Sequence, residues 1–150
     1  MKSNFNNYPG VEIRPTGEEC VVGWDSIVSK LRHDLRGKKK ITVIMECYQG
    51  IMEQEIASEI KKGLQPDSFY SSSDLFLPED EIMALTAQDV TTDRIFGYIT
   101  RLTLDSFIDK KKLNKARSEI KSKTEGLTIV MGVGASYLVE NADCFIYLDM

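Results

Sequence analysis

Residues 41–60 read ITVIMECYQGIMEQEIASEI, and this stretch limits the possible folds more than any other. Ile41–Met45 is apolar nearly throughout, the composition of a strand buried on both faces. A short loop containing Gly50 follows. From about Met52 to Lys62, Ile56 and Ile60 share one face of a helix, and Gly63 marks its end. A strand buried on both faces needs a layer of structure on each side. The chain therefore belongs with folds in which helices flank a sheet.

The rest of the sequence repeats this alternation. Trp24, Ile27, Val28, Leu31 and Leu35 fall at helical spacing before Gly37. A second strand is expected at about Ser68–Ser73. A helix start follows at Pro78 and the acids after it. DRIFGYITRLTLDSFI carries Ile95, Ile99, Leu102 and Phe107 near helical spacing and is expected to be helical. DKKKLNKARSEIKSKTEG reads as a charged surface helix. A third strand, Leu127–Met131, ends in Gly132-Val133-Gly134, and a fourth spans Cys144–Leu148. The expected fold class is α/β, with a mainly parallel sheet and flanking helices in three layers. Residues 1–40 read as an Asn-rich arm, a small hairpin (Val11–Arg14 with Cys20–Val22) and a helix, ahead of a domain over residues 41–150. The sequence stops just after a core strand, where a doubly wound domain continues with a covering helix. The expectation is a piece of a longer protein.

The 150 residues are enough for one domain with a sizeable core. A net charge of −4 argues against a nucleic-acid partner, because the clusters Lys38–Lys40 and Lys110–Lys112 are short and sit at the edges of apolar segments. No apolar run approaches the roughly 20 residues of a membrane span, and the first residues lack the apolar stretch of a signal peptide. The three cysteines are widely spaced with no CxxC pair, which fits a cytoplasmic location better than a disulfide framework or a zinc site.

The strand–loop–helix at 41–60 has the order of a phosphate-binding loop, and its residues can be compared with Gly-x-x-x-x-Gly-Lys-Ser/Thr. There, glycines open backbone N–H groups to phosphate, the Lys reaches the β- and γ-phosphates, and the hydroxyl holds magnesium. Glu46 stands at the first Gly, Ile51 at the second, Met52 at the Lys and Glu53 at the hydroxyl position. Moving the register so that Gly50 takes the second Gly puts Ile51 at the Lys position. No register restores the motif. Glu46, Glu53 and Glu55 surround the expected helix N-terminus. They can satisfy its dipole from within the protein, and they repel a triphosphate by about 1 kcal/mol per close pair. What remains of a phosphate site is Tyr48, Gln49 and Gly50 of the loop, with Gly132 and Gly134 beyond the third strand as either a tight turn or a small anion nest.

This order of segments, together with SSSDLFLP, resembles the P-loop small-molecule kinases of the uridine kinase and phosphoribulokinase group. In that family an acidic motif followed by Leu-Pro comes after the second strand, and its Asp is the general base. The resemblance places Asp74 at that position, with Phe76 and Leu77-Pro78 after it. It also places Met131 where the family has a Glu. The Lys, the hydroxyl residue and the Glu are all missing, which implies a kinase-like fold without kinase chemistry. The whole chain is also similar to the N-terminal region of bacterial mannose-6-phosphate isomerase-like proteins, in which a kinase-like domain precedes a cupin isomerase domain. That resemblance implies a sugar-phosphate isomerase activity whose zinc ligands lie in another domain, since this sequence has a single His. No cofactor is expected within these residues. The partners implied are a phosphorylated small molecule or a fused enzyme domain. The competing reading is an atypical kinase that uses Asp74 as base.

Other candidates have simpler explanations. Asp74 also suits a helix cap before Pro78. His33 lies off the apolar stripe of its helix, and Asp93-Arg94 reads as a surface pair. Cys47, at a helix N-terminus, has the position of a reactive thiol, but the neighbouring glutamates are expected to raise its pKa.

Overall fold

The computed structural model of the chain describes residue 10 and residues 20–149. Four strands, β1 (Lys40–Cys47), β2 (Ser68–Ser71), β3 (Gly126–Gly132) and β4 (Cys144–Leu148), form one sheet in the order β2-β3-β1-β4, and every pairing is parallel. The central strands β1 and β3 are the most buried ones, with an apolar run through the middle of each as two-sided burial requires. Val43, Ile129 and Val130 are completely buried. Each contributes on the order of 2 kcal/mol in apolar area removed from water.

Alternation along β1 divides the core into two layers. Val43, Met45 and Cys47 join Ile129 and Met131 on one face. That face is covered by α1 (Trp24–Asp34) and α2 (Glu53–Leu64), through Trp24, Leu31, Ile56 and Ile60. Ile44 and Val130 point to the other face, under Leu113 and Ile120 of α4 (Lys110–Ser122), with Leu75, Ile108 and Leu138 completing that layer. The result is the three-layer α/β arrangement that the pattern of strands and helices predicts.

Helix α1 is part of this body. A Cβ at Gly63 would lie 2.5 Å from Cγ2 of Val28, so the two helices meet where α2 has no side chain. The Arg32 guanidinium donates to the Gly63 carbonyl at the same contact. Gly63 therefore serves helix packing, and α2 runs through it to Leu64. Gln65, in the left-handed region at φ 50°, ends the helix.

Two carboxylates fasten the amino-terminal edge of the sheet. Asp67, just before β2, accepts the Leu127 N–H at 2.7 Å. Asp143, just before β4, accepts the Thr42 N–H at 2.8 Å and the Lys38 ammonium at 2.6 Å.

The chain leaves the sheet after a single 3₁₀ turn, Ser72–Leu75, and returns at a second, Leu104–Phe107. Phe76 and Ile108 pair antiparallel at the base of this excursion, where the Leu77 N–H donates to the Phe107 carbonyl at 2.9 Å and the Asp109 N–H to the Leu75 carbonyl at 2.8 Å. The excursion holds α3 (Glu79–Val90), none of whose residues is buried.

Residues 92–103 are not helical, contrary to their spacing. Asp93 explains the difference, because its carboxylate accepts the N–H groups of Ile95 at 2.8 Å and Phe96 at 2.9 Å. Such local bonds compete with the helical ladder. Asp93 is therefore a turn former, and no ion pair with Arg94 is found among the described residues. Residues 20–22 form no strand, and the other arm of the expected hairpin lies outside the described residues. Among the described residues no helix is long and apolar enough to cross a membrane.

Candidate functional site

Strand order fixes where a ligand crevice can form. After β1 the chain crosses to β2 on one side, passing the position of β3. After β3 it crosses to β4 on the other side, passing β1. The two loops leave adjacent strands in opposite directions. In open α/β sheets the space between such loops, beyond the strands' carboxyl ends, is the usual binding crevice. The loop after β1 holds Tyr48, Gln49 and Gly50, and the loop after β3 holds Gly134. The topology therefore places the sequence-predicted phosphate-site residues at the carboxyl-terminal edge of the sheet, on loops after adjacent strands.

An anion already sits between the two loops, the carboxylate of Glu46. In register, Glu46 lies beside Gly132 of β3 and Tyr147 of β4. Its Oε1 accepts the Gly134 N–H at 2.5 Å and its Oε2 accepts the Ser136 N–H at 2.8 Å. Gly134 has φ 76° and caps a short 3₁₀ turn, Ala135–Tyr137, so that successive N–H groups converge. The N–H groups of Gly134 and Ser136 thus form an anion nest, and the protein fills it itself. The expectation that Glu46 neutralises the α2 terminus is corrected here. Its side chain is on the opposite face of β1 from Cys47 and bonds the β3 loop.

The α2 terminus engages its own donors. The Glu53 N–H donates to the Ile51 carbonyl at 2.9 Å, and the N–H groups of Glu55 and Ile56 donate to the Met52 carbonyl at 3.1 and 3.2 Å. The Tyr48 N–H is bonded to the Leu148 carbonyl at 2.8 Å. Gly50 turns the loop at φ 105°. Tyr48, Gln49 and Gly50 are exposed, and Met52 points into solvent with 71 % of its surface accessible. The loop has the shape of a turn into a helix, and the N–H groups of Tyr48, Glu53, Glu55 and Ile56 at its two ends are bonded within the protein.

Gly132 is required for a different reason. Its φ is 126°, and a Cβ there would collide with the Ser72 hydroxyl. Buried Ser72 in turn donates to the Val133 carbonyl at 2.7 Å, joining the turn after β2 to the loop after β3. Asp74, two residues on, is exposed on the 3₁₀ turn, and neither a side-chain bond nor a place in the cleft is found for it among the described residues. It does not cap α3, whose N-cap is Pro78.

An open cleft of about 1010 Å³ lies between α2 and the end of β2, lined by Glu53, Lys61, Phe69, Ser71, Ser73 and Met131 among others. The Lys61 ammonium stands 4.1 Å from the centre of the Phe69 ring, a cation–π contact. The Ser71 and Ser73 hydroxyls bond each other at 2.6 Å. This cleft offers hydroxyls and charges of both signs over an apolar floor.

Cys47, under the same loop, is buried, and its thiol donates to the Met45 carbonyl at 3.7 Å. Burial first, then the Glu53 charge, pushes its pKa up to about 11. At neutral pH it is a packed thiol and not a nucleophile. Groups of three or more His, Cys, Asp or Glu arranged to hold a metal ion are absent among the described residues. Glu46, Ser72 and Lys61 are the residues that sequence reasoning undervalued. Glu46 and Ser72 act through partners distant in the chain, and Lys61 through Phe69 on the next strand.

Among curated proteins and among solved structures nothing matches this chain. The family model described as a domain of unknown function, DUF8485, matches residues 23–150, from the residue before α1 through β4, and the chain belongs to that family.

Proposed function

We propose that this domain is a non-catalytic, P-loop-like module that binds or regulates rather than transferring phosphate. The observation that carries the reading is the Glu46 carboxylate, seated on the Gly134 and Ser136 N–H groups at the crevice where an anionic ligand would bind. Two further features support it. Met52 and Glu53 stand where a phosphate loop needs Lys and a hydroxyl, and the N–H groups of Tyr48, Glu53, Glu55 and Ile56 are all bonded within the protein. A triphosphate would have to displace a covalently tethered carboxylate and then lie beside Glu53. Asp74, exposed and outside the cleft, gives no support to the competing kinase reading. That such a module serves a sugar-phosphate isomerase rests on the sequence resemblance alone.

Calorimetry with Mg-ATP and Mg-GTP tests the proposal. No saturable heat is expected at millimolar nucleotide. Micromolar binding that weakens on Gly50→Val substitution would overturn it.

A further inference from the structure

The opposite, amino-terminal edge of the sheet holds a second ligand-sized hollow, of about 570 Å³, between the start of β1, α4 and the segment entering β4. Its volume is in the range of small-molecule sites. Lys40 shares the α4-facing side of β1 with Thr42 and Ile44 by strand alternation. Arg117 and Lys121 are one turn apart on α4, so their side chains leave the same face of the helix. Three cations from two elements thus line one hollow in a protein whose net charge is −4.

Two acids line the hollow, Asp143 and Glu140, and the Asp143 charge is shared between Lys38 and Lys40. Asp143 already holds the Lys38 ammonium and the Thr42 N–H. Glu140 lies on the rim and is the one opposing charge with no bonded partner among the described residues. Lys40 and Lys121 form no ion pair there. Arg117 uses its Nε on the Tyr137 carbonyl at 2.7 Å, which orients the guanidinium and leaves its terminal nitrogens available. Below the cations, Ile120 and Leu138 form a buried apolar floor, and the Asn141 amide adds a neutral donor at the mouth.

We propose that this hollow binds a small organic phosphate monoester, with the phosphate on Lys40, Arg117 and Lys121 and the organic body on Ile120 and Leu138. With Asp143 counted against its partner Lys38, three cations face one glutamate, an excess that a dianion balances, and the guanidinium fork suits phosphate oxygens. The site is separate from the crevice closed by Glu46 and does not rest on the reading given to that crevice.

The test is an NMR titration of the ¹⁵N-labelled chain with glycerol phosphate, inorganic phosphate and glycerol in turn. Glycerol phosphate is expected to shift the amides of residues 117–121 and 138–143 saturably, with inorganic phosphate acting on the same amides more weakly and glycerol leaving them unmoved. The double variant Lys40→Gln/Lys121→Gln should weaken binding about tenfold or more, and Glu140→Gln should tighten it. Both lysines are surface residues, so an unchanged spectrum elsewhere shows that the variant is folded. Three results would overturn the proposal: wild-type affinity in the double variant, shifts centred on Gly134 and Ser136, or inorganic phosphate binding as tightly as the ester.

Discussion

The Glu46 carboxylate accepts the Gly134 N–H at 2.5 Å, joining the end of β1 to the loop after β3 across 88 residues of chain. With the Ser136 N–H on its other oxygen, this one side chain closes the crevice and ties together two neighbouring loops. Charge-assisted bonds of this kind are worth more than neutral ones, although the outer oxygen is exposed to solvent and its bond is discounted accordingly. Glu46→Ala is expected to cost about 2 kcal/mol in urea unfolding. It also leaves a vacant nest, so sulfate or phosphate should restore part of the loss in the variant while leaving the wild type unchanged. An equal response of the two proteins to sulfate would show that the nest is not an anion site.

Gly63 carries a second prediction. Its Cβ would lie 2.5 Å from Val28 Cγ2, and Val28 is itself buried against α2. Alanine improves helix propensity by about 1 kcal/mol, but overpacking costs about 1–3 kcal/mol. We expect Gly63→Ala to destabilise the domain by about 1 kcal/mol or more in thermal or urea melts. Adding Val28→Ala should recover stability, since it removes the clashing methyls. A double variant less stable than the sum of the single ones would remove this contact as the cause.

The sequence showed the layers well and the site poorly, for physical reasons. The strands β1 and β3 carry their burial in their own composition, and α4 carries its amphipathic spacing in Leu113 and Ile120. Local patterns therefore sufficed for the α/β class. Ile95 and Ile99 show how such patterns fail. They keep helical spacing, yet Ile95 is 80 % and Ile99 99 % exposed, because Asp93 takes over the local N–H groups and α3 ends before them. The loop chemistry at Met52 and Glu53 could be read from sequence as the loss of a phosphate grip. That Glu46 fills the nest at Gly134 could not be read, because it depends on β3 lying next to β1. Likewise Lys40 and Arg117 meet across a hollow only after α4 packs on the sheet.

Cys47 sets a limit on stability at high pH. Burial and the Glu53 charge raise its pKa from 9.0 to about 11 in the folded protein. The folded state therefore retains this proton when the unfolded chain has lost it. Its contribution is complete below about pH 9 and declines as pH rises through 11. Cys47→Ala should flatten the alkaline side of the stability profile, measured by urea midpoints in that window. Alkylation with iodoacetamide at pH 8, followed by peptide mass spectrometry, should modify exposed Cys20 well before buried Cys47.

Asp143 sets the corresponding limit in acid. The Lys38 ammonium, then the Thr42 N–H, hold its carboxyl below the ordinary value of 3.8. The depressed pKa means that its contribution is present above the unfolded value and is lost as pH falls through the folded one. Much of the Lys38 pair is solvent-exposed, which limits its worth. The bond to Thr42 matters more, because Thr42 is buried and its N–H has no water to turn to. Asp143→Ala is expected to cost about 1–2 kcal/mol. The loss should be local at first, because β4 is an edge strand that pairs, among the described residues, with β1 alone. Hydrogen exchange should therefore speed up at the amides of β4 that bond β1, with β3 amides unchanged at neutral pH. Lowering the pH of the wild type through the Asp143 titration should reproduce the same pattern. Uniform acceleration across the sheet in either experiment would mean that Asp143 supports global stability and does not act as the clasp of β4.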